Sequence, residues 1–363
     1  MKVEYTVAAA IGDLNADGLA DFLVTVHQSA EKFNGESVVF FGDGRRKPRS
    51  FIPSLRGFKT SGTTHIAIAA AEKNLPARAV FSNSIGGQVD EGVPLHVYWG
   101  EQDGFNPKRI WKIPFHSGYE ASAADLNADG YVDLIELNSK HAGEAAHADP
   151  TLGANIFWGS REGFDLDKRR TVLREHFPGT SGVADLNRDG FLDLVLEPFA
   201  PEKSGEKDML FIYYGAADGF DKSRRVAMDS EGYSQEHLIA DLNGDMWLDV
   251  AVTSRLLHRL RIFWGGPNGF DSKREHRLKV SGPLGVDAAD FNGDGYLDVI
   301  CGSYNDPISG FRDMGSLIWG GAAKVTVTGI RSGCLVFPHW DARSPILTVT
   351  ATWISFHPST AGS

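Results

Sequence analysis

Short apolar runs separated by polar turns recur along this chain. In one unit, an apolar run at Leu134 and Ile135 is followed by an aromatic run at Phe157 and Trp158, and then by a basic run at 168–173. Helical periodicity of useful length is absent, and the runs have the length of strands. The pattern predicts an all-β protein with about four strands in each unit.

An acidic loop interrupts the apolar runs in five places. The loops share the pattern Asp-x-Asn-x-Asp-x-x-x-Asp and begin at steps of 112, 60, 56 and 49 residues, at Asp13, Asp125, Asp185, Asp241 and Asp290. The first step is twice the others, so a further repeat is expected between the first two loops. Residues 66–81 fit the same strand-loop-strand pattern, with Ala70, Glu72, Asn74 and Arg78 at the four polar positions. Arginine there places a cation where an ion would sit, so we expect no calcium in that repeat.

An aromatic-glycine marker alternates with the loops. It recurs every 50 to 59 residues and ends at Gly42, Gly100, Gly159, Gly215, Gly265 and Gly320. Four copies are followed by a Gly-Phe pair, at residues 104, 163, 219 and 269. A period of this length, with four short strands per unit, is typical of a β-propeller. We predict a propeller of four-stranded blades with six recognisable repeats, in a six-bladed or an incomplete seven-bladed ring.

The predicted domain boundary follows the sixth repeat. Residues 1–323 are expected to form the propeller, with the repeat at 60–100 lacking a loop, and 324–363 a divergent tail. Within the tail, 324–329 could complete a blade, and 346–354 also has the character of a strand.

The loops have the chemistry of calcium sites. All their side-chain donors are oxygen, several are charged, and glycine usually occupies the sixth position, where the backbone turns sharply. Positions one, three, five and nine would donate side-chain oxygens, and position seven a backbone carbonyl. The predicted ligands are Asp13, Asn15, Asp17, Leu19 and Asp21; Asp125, Asn127, Asp129, Tyr131 and Asp133; Asp185, Asn187, Asp189, Phe191 and Asp193; Asp241, Asn243, Asp245, Trp247 and Asp249; and Asp290, Asn292, Asp294, Tyr296 and Asp298. About five calcium ions are therefore expected.

Two other interpretations of the loops are weaker. An EF-hand needs a glutamate at position 12 and flanking helices, whereas these flanks resemble strands and only Glu136 fills that position. A metal-free Asp/Asn-rich hairpin would leave clustered carboxylates to repel one another five times over. The fourth loop has Met246 where glycine is expected, so its affinity for calcium is the most doubtful.

The five loops, together with the aromatic-glycine and Gly-Phe turns, resemble the FG-GAP (VCBS) repeats of integrin α-subunit propellers and of many bacterial surface proteins. The resemblance covers roughly residues 4–323. It implies a β-propeller with calcium between the first and second strands of most blades, and an extracellular or cell-surface location. Relatives usually close with seven blades, whereas six repeats are visible here.

Composition limits the partners. The formal charge of −11 argues against nucleic-acid binding, and five divalent ions would bring it to about −1. No run of 18 apolar residues or signal peptide is visible, and the sequence is compatible with a segment of a longer polypeptide.

Cys301 and Cys334 are expected to be buried thiols or to form a single bridge. Basic runs at the blade ends, such as Arg224-Arg225 and Lys273-Arg274, are interpreted as solvated outer-edge strands.

The variable loops are expected on the face opposite the acidic loops, and they are the usual place for binding. They span 27–37, 83–94, 138–154, 198–208 and 303–315, and candidate contact residues there and in the blade connections are Phe33, Phe199, Tyr304, Phe311, Tyr119 and Tyr233. One loop contains His141, Glu144, His147 and Asp149, which could bind a transition metal or act in acid-base chemistry, although a solvated loop is the simpler interpretation.

Three functions remain open. The chain is expected to be a calcium-stabilised extracellular adhesion module that recognises a protein or a glycan on the face opposite the loops. It could instead be a carbohydrate-active enzyme, a polysaccharide lyase or a hydrolase. The sequence shows no converging set of catalytic residues, so the interpretation as an enzyme is the weaker one. A structural spacer within a larger surface protein is the third possibility.

Overall fold

The structure is a computed structural model that describes residues 9–25, 36–42, 58–69, 77–83, 94–101, 104–113, 118–138, 153–174, 178–198, 209–230, 234–254, 257–280, 282–303, 315–320 and 326–329. The described residues form six four-stranded antiparallel sheets, and their helical structure is limited to one 3-10 turn at Lys222–Arg224. No helix in these ranges is long and apolar enough to cross a membrane. The prediction of an all-β fold built from propeller blades is confirmed.

Each sheet contains four strands that are consecutive in the chain. Blade 1 has β1 (Ala9–Gly12), β2 (Asp21–Val24), β3 (Glu36–Phe40) and β4 (Phe58–Lys59); blade 2 has β5 (Thr63–Ala69), β6 (Arg78–Asn83), β7 (Leu95–Glu101) and β8 (Gly104–Ile113); blade 3 has β9 (Gly118–Ala124), β10 (Asp133–Asn138), β11 (Gly153–Phe157) and β12 (Arg170–Leu173). Blade 4 has β13 (Pro178–Ala184), β14 (Asp193–Pro198), β15 (Met209–Tyr213) and β16 (Arg225–Asp229); blade 5 has β17 (Ser234–Ala240), β18 (Asp249–Ser254), β19 (Arg259–Phe263) and β20 (Glu275–Lys279); blade 6 has β21 (Pro283–Ala289), β22 (Asp298–Ser303), β23 (Gly315–Trp319) and β24 (Thr326–Gly329).

Consecutive blades pack through their first strands, in the order β1, β5, β9, β13, β17 and β21. Residues 66–69 and 78–81 belong to the paired strands β5 and β6 of blade 2, at the place where the doubled step predicts a hidden repeat. Residues 326–329 pair with β23 as the fourth strand of blade 6, so part of the segment assigned to the tail completes that blade.

The apolar core lies between neighbouring blades. Alternate residues of a second strand face opposite neighbours, so Leu134 packs in the cluster shared with blade 2, while Ile135 packs in the cluster shared with blade 4. Both faces of these strands are covered, which is why they appear in the sequence as continuous apolar runs and not as alternating ones. Cys301 is buried in the cluster between blades 5 and 6 as a free thiol, whereas Cys334 lies outside the described residues.

The Gly-Phe turns of blades 3 and 4 attach each of these blades to the one before it. The Phe164 ring stacks on Trp111 of blade 2 at a centroid distance of 5.2 Å, and the Phe220 ring stacks on Trp158 of blade 3 at 6.2 Å. Gly163 and Gly219 have positive φ angles of 104° and 89°. A Cβ on Gly219 would lie 2.6 Å from the Trp158 ring, so a side chain there would separate the blades.

The interpretation of the basic blade-end runs as purely solvated is wrong in part. The guanidinium groups of Arg169, Arg224 and Arg274 donate hydrogen bonds to the carbonyl oxygens of Gly159, Gly219 and Gly265, at 2.6 to 2.7 Å. A charged donor gains more from a carbonyl acceptor than a neutral one does. These arginines therefore hold the third-to-fourth strand turns in place.

Candidate functional site

The ninth aspartate of each acidic loop links the two repeated markers of the sequence. In blade 4, Asp193 is fully buried, its Oδ2 accepts a hydrogen bond from the Leu186 amide at 2.8 Å, and its Oδ1 accepts one from the Gly215 amide at 2.9 Å. The other four ninth aspartates bond in the same way, to Leu14 and Gly42, Leu126 and Gly159, Leu242 and Gly265, and Phe291 and Gly320. The carboxylate thus ties the loop to the end of the third strand.

The marker glycine is required by this contact. A Cβ on Gly215 would lie 2.2 Å from the carbonyl oxygen of Leu192, the residue just before Asp193. The equivalent distances at Gly42, Gly159, Gly265 and Gly320 are 2.0 to 2.5 Å. Only glycine lets its amide approach the aspartate so closely, which explains why the two markers recur in phase.

The side chains at the first, third and fifth positions form hydrogen bonds within their own loop and fix its turn. In blade 4, Asp185 Oδ1 and Oδ2 accept hydrogen bonds from the amides of Asp189 and Gly190, at 3.1 and 3.0 Å. The Asn187 side-chain amide donates to Asp189 Oδ2 at 2.9 Å. The same three contacts form in the other loops, so the structure brings the side-chain ligands predicted at these positions together five times.

The donor set of the loops fits a hard cation. Burial, together with the nearby charges of Asp129 and Asp125, raises the pKa of Asp133 to about 7, against hydrogen bonds from two backbone amides. The pKa values of Asp193 and Asp249 are raised to about 6, again chiefly by burial. A buried carboxylate whose charge is disfavoured by burial and by neighbouring carboxylates is what a divalent ion would relieve. Within the described ranges, no three His, Cys, Asp or Glu side chains already form a preformed metal cluster.

The fourth loop keeps the common geometry in spite of its methionine. Met246 has a φ of 72°, and its amide bonds Asp241 Oδ2 at 2.7 Å, as the glycine amide does in the other loops. Its side chain is 72% exposed, so packing does not offset the strain of a left-handed backbone. Methionine costs stability here without breaking the loop.

We expect Met246→Gly to raise the free energy of unfolding by about 1 kcal/mol, because glycine adopts this φ without strain. The matched control is Gly190→Met in the third loop, which has a φ of 92° and no atom within 4 Å of an added Cβ. That change should lower stability by a similar amount. Denaturant unfolding of the native chain and of both variants measures the two changes in the free energy of unfolding. Equal stability of Met246→Gly and the native chain would contradict the assignment of backbone strain to Met246.

Blade 2 replaces the acidic link by a backbone contact. The Gly100 amide donates to the Ala77 carbonyl oxygen at 2.8 Å. Arg78 stands at the ninth position, and its guanidinium lies over the rings of Trp99 and Phe164, at 5.4 and 5.6 Å from their centroids. Ala70, Glu72 and Asn74 lie outside the described residues.

A second group of polar residues lies on the first strands and was not identified from the sequence. We call His65, Glu120, Glu236, His237 and Asp287 the axial cluster. Glu236 interacts electrostatically with Glu120, His65 and Asp287, and His237 interacts with His65. Four blades thus contribute to one site. His65, Glu120 and Glu236 lie near the starts of their strands, at the end of the sheets opposite the acidic loops, which follow the ends of these strands.

Specific hydrogen bonds orient the cluster. Glu120 Oε1 accepts from the amide and the hydroxyl of Ser181, at 3.1 and 3.3 Å. His237 Nδ1 lies 3.2 Å from Thr180 Oγ1. The strand pairing shifts register beside Glu236, and such a bulge redirects side chains next to it.

Glu120 and Glu236 of the cluster hold their protons unusually well. Burial raises the pKa of Glu120 to about 7, against the hydrogen bonds from Ser181. Burial, followed by the charge of Glu120, raises the pKa of Glu236 to about 7, although Glu236 is accessible to water. Burial lowers the pKa of His65, and that of His237 to about 4. Near neutral pH the cluster therefore combines neutral imidazoles with carboxyl groups that readily exchange a proton.

The repeat alignment contains the signal for this cluster. His65, Glu120, Thr180 and Glu236 all lie five residues before the first position of their loop or its degenerate equivalent. Successive members of this set are 55 to 60 residues apart, so no segment of the chain shorter than one repeat contains two of them.

We expect Glu120→Gln to stabilise the protein by about 1 to 2 kcal/mol above pH 7 and by much less at pH 5. The pKa of Glu120 is higher in the folded chain than its ordinary value of 4.5, so the native glutamate loses stability as pH rises from about 5 through 7, whereas glutamine does not titrate. Glutamine also keeps the acceptor for Ser181. Urea unfolding at both pH values, with exposed Glu162→Gln as control, tests this; a difference independent of pH would contradict it.

Several predicted contact residues lie outside the described ranges. They include Phe33, Phe199, Tyr304, Phe311 and Tyr233, together with the loop of His141, Glu144, His147 and Asp149. Their predicted roles stay predictions.

Comparison with known proteins agrees with the repeat geometry. Residues 241–301, which run from the fourth loop to β22, match the family described as FG-GAP-like repeat. The chain is also similar to integrin alpha-PS3 of Drosophila melanogaster, with 29% identity over 176 residues. The alignment covers 43% of this chain and 14% of the relative. The six sheets and these matches support an FG-GAP/integrin-like repeat protein built from propeller blades. The chain spans only a small part of the length of this integrin α relative.

Proposed function

We propose that this chain is a calcium-stabilised extracellular binding module, with one calcium ion in each of its five acidic loops. The observation that carries the proposal is the repeated link of a buried ninth aspartate to the loop and to the marker glycine. The first, third, fifth and ninth side chains of each loop would hold the ion together with the seventh carbonyl. Bound calcium supplies positive charge to three carboxylates.

The loops would keep the blades rigid. The ninth aspartate joins the first-to-second strand loop to the end of the third strand, so an ion held by that carboxylate would also fix the third strand. Because such a site does not exist in the unfolded chain, its binding free energy adds to folding. A rigid set of blades is a suitable support for binding loops on the other face.

The axial cluster supports a ligand site on the face opposite the acidic loops. Its acidic members Glu120, Glu236 and Asp287 come from three blades, Glu236 interacts electrostatically with the other two, and Glu236 is accessible to water. Similarity to an integrin α chain supports an adhesion role, with a protein or a glycan as ligand, and an extracellular location. Fold alone does not choose between these ligands.

Binding is tested on a panel of purified glycans and extracellular-matrix proteins, with and without calcium. We expect calcium-dependent binding to one class of ligand, weakened about 10-fold by Glu236→Lys, because the variant reverses charge at the cluster. The matched control is Asp167→Lys, an exposed change on the side of the acidic loops. Absence of binding to every ligand would favour a structural spacer and overturn the proposal.

Catalysis on polysaccharides is a second candidate, which the axial cluster specifically favours. Glu120 and Glu236 both have pKa values of about 7 and interact, so at neutral pH one can donate a proton while the other accepts one. Incubation with a panel of polysaccharides, followed by detection of new reducing ends or unsaturated products, tests this function. Activity lost in both Glu120→Gln and Glu236→Gln would support it, and activity retained in both would exclude the cluster as its site.

A further inference from the structure

A basic groove of about 420 Å³ lies at the junction of blades 2 and 3. Its walls combine four cationic side chains with two tryptophans, namely Arg78, Lys108, Arg109, Arg161, Trp99 and Trp111. It lies apart from the axial cluster, at the edge of the sheets that carries the acidic loops, because Arg161 belongs to the turn that follows Gly159.

The groove occupies the place where blade 2 differs from its neighbours. The other five blades have a carboxylate at the ninth loop position, whereas blade 2 has Arg78. The replacement changes the charge of the position from negative to positive. It also frees the aromatic-glycine turn of blade 2 from an acidic link, since Gly100 bonds a backbone carbonyl instead.

The aromatic wall is held in place by its own contacts. The rings of Trp99 and Trp111 are 5.8 Å apart at an angle of 44°, and Trp111 stacks on Phe164 at 5.2 Å. The guanidinium groups of Arg78 and Arg109 lie over the Trp99 ring, at 5.4 and 5.7 Å. These cation–π contacts orient the two arginines beside the indoles.

The charge of the groove opposes that of the chain. Four cations and one acid, Glu162, line it, in a protein with a formal charge of −11. Lys108, Arg109 and Arg161 are exposed, and the contact of Arg109 with Glu101 is long, at 4.0 Å between largely exposed side chains. An ion pair of that kind contributes little, so these cations can exchange water for an anionic ligand.

We propose that the groove of blades 2 and 3 binds an acidic saccharide that carries ring carboxylates, such as a short uronate oligomer. Arginine binds a carboxylate in bidentate fashion, and an indole face packs against the C–H face of a pyranose ring. A groove of about 420 Å³ suits a ligand of a few sugar rings. A nucleic acid would need a longer basic surface than these four side chains provide.

The test is calorimetric titration of the calcium-loaded chain with trigalacturonate, at equal free calcium in cell and syringe and at physiological salt. The fully methyl-esterified trisaccharide has the same rings without charge, and hexaglutamate carries carboxylates without rings. We expect measurable binding of trigalacturonate, at least about 10-fold tighter than of either comparison ligand.

Variants locate the site. Lys108→Glu with Arg161→Glu reverses two exposed charges of the groove and should weaken binding at least about 10-fold. Lys273→Glu with Lys279→Glu reverses two exposed charges of blade 5 and should leave affinity within about 2-fold. Thermal melts of both variants check that they fold.

Three results would overturn the proposal. They are absence of binding to trigalacturonate, equal binding of its methyl ester, and equal affinity of the groove variant and the native chain. Preferential binding of hexaglutamate would instead assign the groove to acidic peptides. None of these outcomes bears on the five acidic loops, since the groove contains none of their residues.

Discussion

Removal of calcium from the metal-loaded protein with excess chelator will lower the midpoint of thermal unfolding by more than about 10 °C. At a free calcium concentration of 100 times the dissociation constant, each bound ion contributes about 2.7 kcal/mol to the free energy of unfolding. The sum over five sites is large relative to the usual stability of a protein. The physical reason is that each loop carries three aspartates, and that burial and the neighbouring aspartates disfavour the charge of the ninth one, as at Asp133 and Asp249.

Differential scanning calorimetry measures the change. Excess calcium should restore the original midpoint, whereas magnesium at the same concentration should not, because magnesium requires a tighter octahedral shell. A melt that is identical with and without chelator would mean that the loops are metal-free turns.

Replacement of Asp193 by alanine will lower the free energy of unfolding by about 3 to 5 kcal/mol. The carboxylate is fully buried and accepts one hydrogen bond from Leu186 and one from Gly215. Hydrogen bonds to charged groups contribute about 1.5 to 3 kcal/mol each, and the two amides would be left without an acceptor inside the protein. The ion would also lose a ligand.

Two further variants separate the loss of the two hydrogen bonds from the loss of the calcium ligand. Their stability is measured by urea unfolding with and without calcium. Asp193→Asn keeps one acceptor oxygen but presents an amide to a second donor, so an intermediate loss is expected. Asp167→Ala removes an exposed carboxylate of blade 3 and should change stability by less than about 0.5 kcal/mol. Equal stability of Asp193→Ala and Asp167→Ala would contradict the structural role of the ninth aspartate.

The blade architecture could be predicted from the sequence because each blade repeats the same arrangement of strands and turns within one contiguous segment. Second strands such as the one containing Leu134 and Ile135 are buried on both faces and therefore appear as short apolar runs. The doubled first step revealed blade 2 even though its loop residues had changed. Periodicity and spacing were sufficient for these features because they are properties of contiguous segments.

Features that depend on distant contacts could not be predicted. The phase between the acidic loop and the aromatic-glycine turn was visible, but its cause, the hydrogen bond from the Gly215 amide to the Asp193 carboxylate, joins residues 22 positions apart. The axial cluster draws on four blades, and no contiguous window contains both Glu120 and Glu236. Arg78 was expected to exclude calcium. Its contact with Trp99 follows from the pairing of β6 with β7, and the basic groove around them is completed by the packing of blade 2 against blade 3.

The most direct test of the account is the number of calcium ions bound to each folded chain. Elemental analysis of the metal-loaded protein after gel filtration in calcium-free buffer, calibrated against protein concentration, gives that number. We predict five ions in the native chain and four in Asp185→Ala, which removes one first-position ligand. A native count near zero, or a count unchanged by Asp185→Ala, would contradict the assignment of calcium to these loops.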